Sequence, residues 1–148
     1  MNPVDLAFMP ALEQAKLIRD KEISPLELTE VYLERIQRLN PQLGAYVAVM
    51  ADQALAEARA KTEHLAKHPE DLPPLFGVTV SVKDLNPLEG VACAYGIKAA
   101  CDRIADHDDL IVRKLRQAGL IILGKTATSQ LGSLPYTEPP GFPPTRNP

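Results

Sequence analysis

Apolar and polar positions follow three different rhythms along this chain, and each rhythm predicts a different kind of structure. From the start to about residue 70 the spacing is helical. Leu28, Tyr32, Ile36 and Leu39 recur every three or four residues, which lines one face of a helix. Ser24-Pro25-Leu26-Glu27 marks its start: Ser24 can accept from the Glu27 N–H, Glu27 can reach back, and proline suits the first helical position. Pro41 is expected to stop it. A shorter helix is expected over about 11–20. A short extended run over 45–49 then leads into a third helix over 51–67. Its buried stripe is Ala51, Ala54, Leu55, Ala58, Thr62 and Leu65, and His68-Pro69 closes it.

From 75 to 132 the rhythm changes to that of an α/β fold. In VTVSV, Val78, Val80 and Val82 fall on one face and Thr79, Ser81 and Lys83 on the other. A loop-rich stretch follows to about 106. Asp108 is placed to cap a helix carrying Leu110, Val112 and Leu115, which Gly119 ends. Leu120 to Leu123 then read as a buried strand, so this helix and strand form a parallel crossover unit. The last stretch, 133–148, holds six of the chain's 14 prolines. It can continue neither a helix nor a central strand, and is an ordered loop laid over something or a tail. No internal repeat breaks the chain, and 148 residues suit one domain.

Composition narrows the function classes. The net charge of −3 offers no electrostatic reason to bind nucleic acid or an anionic membrane. Tryptophan is absent and aromatics make up 5%, so base-stacking platforms are not expected. The start, MNPVDLAFMP, has no secretory pattern, and no aliphatic run approaches a membrane span. Two cysteines, Cys93 and Cys101, make no disulfide framework and read as small buried hydrophobes. The expectation is a reduced, cytoplasmic protein.

One stretch raises a nucleotide question. Gly119 to Thr126, GLIILGKT, fits the phosphate-loop pattern at every fixed position. A phosphate loop needs a strand before it and a helix after it, with a turn between its glycines. Here a helix precedes Gly119 and the strand lies between the glycines. Gly119 is better explained as a helix end and Gly124-Lys125-Thr126 as a strand exit. His64 and His68 lie four apart on a helix, but nothing nearby completes a metal site. No cofactor or metal is expected.

Lys83 is the other strand-end lysine. On pattern alone it is a solvated residue or an edge-strand guard. Its functional alternative is a lysine in a dry site, where desolvation favours the neutral amine and makes it a base toward a hydroxyl. Adjacent Asp84 would oppose that shift.

Two longer stretches resolve the choice by resemblance. PPLFGVTVSVKDLNPLEGV and DDLIVRKLRQAGLIILGKTATSQLG resemble, in order and separation, the two lysine-bearing motifs of the amidase signature family. SPLELTEVYLERIQRLNPQLGAYV resembles that family's N-terminal helices, and TEPPGFPPTRNP the approach to its Gly/Ser-rich loop. The resemblance implies the N-terminal part of a single α/β domain, a mixed central sheet flanked by helices. It implies an amide hydrolase with a Ser–cis-Ser–Lys triad acting on a small carboxamide. Lys83 would be the base that, with a bridging serine, activates the nucleophilic serine. No catalytic role carries over to Gly124, Lys125 or Thr126.

The chain departs from the family at Ala127, at Gln130-Leu131 and at Ala92-Cys93-Ala94, which leaves the substrate open. Its 148 residues contain no Gly/Ser-rich loop, so the bridging serine, the nucleophile and the oxyanion donors are missing from them. No amidase activity is therefore expected of these residues alone. One alternative is a non-catalytic half that associates with itself or a complementary chain through unpaired sheet surface. Another is a relative of the amidating component of the tRNA-dependent amidotransferase.

Overall fold

The computed structural model describes residues 2–148. Two short helices open the fold, α1 (Pro3–Phe8) and α2 (Ala11–Arg19). The first is too short to show a period in the sequence. Gln14 pins it in place: its buried amide donates to Leu6 O at 2.9 Å and to Tyr32 Oη at 2.8 Å. The long helix α3 (Pro25–Leu43) begins at the expected capping box, with both reciprocal bonds made.

That cap carries a pH signature. The Ser24 backbone N–H and hydroxyl both bond the Glu27 carboxylate and hold it below its ordinary value of 4.5. A depressed folded-state value gives stability that is present above about 4.5 and lost as pH falls through the folded value. Ser24→Ala should cost about 1 kcal/mol. Urea unfolding across the acid range should show the Glu27→Gln deficit shrinking as pH drops; a deficit constant with pH would contradict the assignment.

Pro41 does not end α3 as expected. The helix runs through it to Leu43 and stops at Gly44, whose left-handed backbone (φ 61°) lets its N–H reach Asn40 O at 2.8 Å. Pro41 lacks the N–H that would bond Gln37 O and so loses one rung of the ladder, yet the helix continues until the glycine ends it. Strand β1 (Tyr46–Val49) and helix α4 (Ala51–Lys67) follow, the latter with the predicted bounds.

Strand β2 (Thr79–Lys83), helix α5 (Leu110–Gln117) and strand β3 (Ile121–Thr126) form the expected parallel crossover. The cap of α5 is Asp109, which accepts from the Ile111 N–H, and not Asp108. Asp108 is occupied elsewhere, accepting from the Glu89 N–H and from Arg116 Nε. The three strands lie in the order β1-β3-β2, with β1 antiparallel to β3. Helices cover both faces. Ile121 and Leu123 pack with Ile36, Ala54 and Ala58 on the α3/α4 side, whereas Ile122 packs with Val82, Leu88 and Val112 on the α5 side.

The proline-rich end is an ordered loop and not a tail. Arg146 N–H donates to Leu43 O at 2.8 Å, and Thr145 Oγ1 to Gly44 O at 3.0 Å. Lys98 Nζ stands 5.3 Å from the centre of the Phe142 ring. This strap closes a cleft of about 360 Å³ whose walls include Tyr46, Asp84, Lys98, Thr128 and Phe142. The cleft lies beyond the carboxyl ends of β2 and β3, the usual place for a site in an α/β sheet.

Candidate active site

The two strand-end lysines have different surroundings, and a bulge in β3 decides which is which. Val80 pairs with Ile122 but Val82 pairs with Lys125, so β3 spends one extra residue over the same span. Regular alternation would send Lys125 to the α3/α4 side with Ile121 and Leu123. The extra residue turns it to the α5 side, next to Val82 and the loop that follows β2. Gly124 permits this: a Cβ there would stand 2.2 Å from Ala48 O.

Lys125 is therefore fully buried. Sequence pattern makes Gly124-Lys125-Thr126 an exit turn, but these residues belong to the strand and Lys125 sits in the dry site. Its ammonium donates to Asn86 O at 2.7 Å and touches Cys93 Sγ at 3.4 Å. It also stands 3.2 Å from Asp84 Oδ1. That oxygen has no aligned hydrogen bond, so charge alone holds it. The other Asp84 oxygen accepts from the Ala94 N–H at 3.1 Å, and the Asp84 N–H donates to Thr126 O at 2.9 Å. Four segments meet here: the ends of β2 and β3, the turn at Asn86, and Cys93-Ala94.

Lys83 is exposed and makes no side-chain hydrogen bond or ion pair among the described residues. The dry surroundings required of a lysine base are not formed by these residues. Nor does Asp84 act on Lys83 as a neighbour: strand alternation turns the two to opposite sides, and Asp84 takes Lys125 as its partner. Lys83 pairs across the sheet with Thr126, which pairs with Tyr46, so the three form one row at the strand ends. Two residues back, Ser81 shares the Lys83 face and its hydroxyl bonds the Tyr46 phenol. Burial pushes the Tyr46 phenol up, and the Ser81 bond partly opposes it. Lys83 thus lies on an outer strand, on the face that carries Ser81 and the Tyr46 phenol.

The remaining candidates have structural roles. The His64 and His68 rings lie 5.3 Å apart in a tilted arrangement, and His64 also lies 5.7 Å from Phe76. His107 pairs with Asp106 at 2.7 Å. Gly119 follows the end of α5 in a left-handed conformation (φ 91°), so the phosphate-loop pattern spans a helix end and a buried strand. Both cysteines are free; Cys93 is buried as expected and Cys101 half-buried.

These motifs have close counterparts. A sequence model of the amidase family, described as Amidase, matches residues 27–148. The chain belongs to the amidase family. A Synechocystis protein named provisionally as an amidase is 46% identical over 146 residues, which is 97% of this chain and 29% of that relative. In Acidothermus cellulolyticus, the A component of the glutamyl-tRNA(Gln) amidotransferase is 39% identical, over 97% of this chain and 28% of its own length. The crystal structure of a bacterial aryl acylamidase of the amidase signature family superposes with a TM-score of 0.87 at 29% identity, over 95% of this chain and 29% of that one. The mixed α/β architecture is thus that of amidase signature enzymes. The chain spans under a third of the length of each of these relatives.

Proposed function

We propose that this chain carries the lysine-bearing part of an amidase site, with Lys83 as the base of a serine-acylating hydrolysis of small carboxamides. The observation that supports it is the position of Lys83. It ends the motif strand on an outer strand of the sheet, lies in row with Thr126, and is exposed, so a serine-bearing segment could reach it. In that reading the lysine, once enclosed, takes the proton of a bridging serine hydroxyl, which in turn activates the nucleophile. In the same reading both serines, and the amides that would hold the oxyanion, lie outside these residues.

The 148 residues alone should therefore not turn over acetamide or benzamide. Joined to the portion of the Synechocystis relative that lies beyond its matched segment, they should do so, and Lys83→Ala should reduce that turnover by about two orders of magnitude or more. Turnover by the 148 residues alone would refute the incompleteness. A joined protein indifferent to Lys83→Ala would refute the base.

A second reading, association with a complementary chain, is favoured by exposed apolar residues on the outer strand β1 and on helix α5. Val47 and Val49 on β1 are each 43% exposed, and Leu110 on α5 is 60% exposed. Light scattering after gel filtration should then report self-association or a mixed complex; a monodisperse monomer at high concentration would count against it. The amidotransferase likeness leaves a role beside a tRNA-dependent partner as a third reading. Among the described residues no helix is long and apolar enough to cross a membrane.

A further inference from the structure

Lys125 and Cys93 have no part in the proposed chemistry, yet they bring an amine and a thiol together inside the protein. The Nζ to Sγ separation is 3.4 Å, and both side chains are closed off from solvent, at 0% and 2% exposure. The pair is fixed from several directions. Asn86 O holds the ammonium at 2.7 Å, and the Cys93 backbone N–H is tied to Arg103 O at 3.0 Å. The carboxylate of Asp84 lies 3.2 Å from the same nitrogen and has one oxygen without an aligned donor. It is therefore placed to take a proton from Lys125. The cleft under the proline-rich strap is lined by Asp84, so small solutes have an approach to within one side chain of the pair.

We infer that Cys93 and Lys125 form an oxidative cross-link, a sulfur–nitrogen bond made when the chain meets a peroxide. In the first step the Cys93 sulfur attacks one peroxide oxygen, the O–O bond breaks, and the thiol proton leaves with the other oxygen as water. Cys93 is then a sulfenic acid, a species that condenses with thiols and with backbone nitrogen, and here the Lys125 amine stands 3.4 Å from it. In the second step Lys125 hands its extra proton to Asp84, and its neutral amine attacks the sulfur. The S–O bond breaks and the departing hydroxide takes a nitrogen-bound proton as a second water. Sulfur is oxidised by two electrons and the peroxide is reduced by two. The bond would fasten the loop after β2 to the end of β3 and remove the buried positive charge, and a thiol reductant would reverse it.

The test treats the purified chain with hydrogen peroxide at stoichiometric level and reads intact mass and peptide maps. Cys101→Ser is used beside the native chain, because it leaves one thiol and excludes an internal disulfide. The cross-link predicts loss of about 2 Da in both proteins, with the Cys93 peptide joined to the Lys125 peptide, and recovery with dithiothreitol. In the Cys101→Ser protein, gain of oxygen without loss of hydrogen, or a doubled mass from an intermolecular disulfide, would overturn the inference. Should that variant not fold, the peptide map of the native chain decides: Cys93 joined to Lys125 supports the bond, and Cys93 joined to Cys101 overturns it.

Discussion

Lys125→Ala should destabilise the chain by about 3–5 kcal/mol, because it leaves the Asp84 carboxylate buried with no opposite charge. The substitution also strands Asn86 O, which accepts from the ammonium at 2.7 Å. A domain of this kind has only about 5–15 kcal/mol in total, so a large fraction of the variant should be unfolded near 37 °C. The pairing can be separated from packing by a double-mutant cycle. Lys125→Met keeps most of the volume and removes the charge. Asp84→Asn removes the other charge and keeps an acceptor for the Ala94 N–H. If the charges matter to each other, the double variant should be more stable than Lys125→Met alone, since no uncompensated charge then remains buried. Urea denaturation of the four proteins would measure it. Strict additivity would mean that Lys125 acts only as a space-filling side chain.

Gly124→Ala should be nearly as damaging, at about 3 kcal/mol, the upper end of what overpacking costs. The new methyl group would sit 2.2 Å from Ala48 O, a backbone atom that cannot swing aside. Strands β1 and β3 would have to part there, and Met50 N–H would lose its bond to Leu123 O at 2.8 Å. The effect should be local as well as large. Amide hydrogen exchange should speed up along β1 while the α2–α3 contacts of Ile18 and Leu28 stay protected. A stable Gly124→Ala protein with native exchange along β1 would show that β1 is not held at this close approach.

Much of the fold is legible in the sequence because its signals are local. The capping box of α3 and the alanine stripe of α4 each involve residues within a few turns of one another. The alternating valines of β2 do so as well. What escapes depends on more than a residue's own type. Pro41 reads as a stop because its own chemistry disfavours a helix, but the helix runs through it and Gly44 sets the end. Asp108 and Asp109 both suit an N-cap, and only the Glu89 N–H and Arg116, brought in by the fold, draw Asp108 away.

The site shows the same division. The motif strand ending in Lys83 can be found from sequence by its alternation. That Lys125 is the buried lysine escapes alternation, which counted along β3 alone sends it to the wrong side. Two signals do point there: a lysine close behind four aliphatic residues, and a glycine beside it with no turn to explain it. Together they mark a bulge.

The strap over the cleft has a consequence for the order in which the protein takes shape. Thr145 and Arg146 bond to Leu43 and Gly44, far upstream in the chain. On a ribosome the helices from α1 to α4 can pair as they emerge, because their contacts are close in sequence. The cleft cannot. Its outer wall waits for Pro139, Phe142 and Pro143 to leave the exit tunnel, so the nascent protein passes through a stage with a sheet and a buried lysine but no pocket.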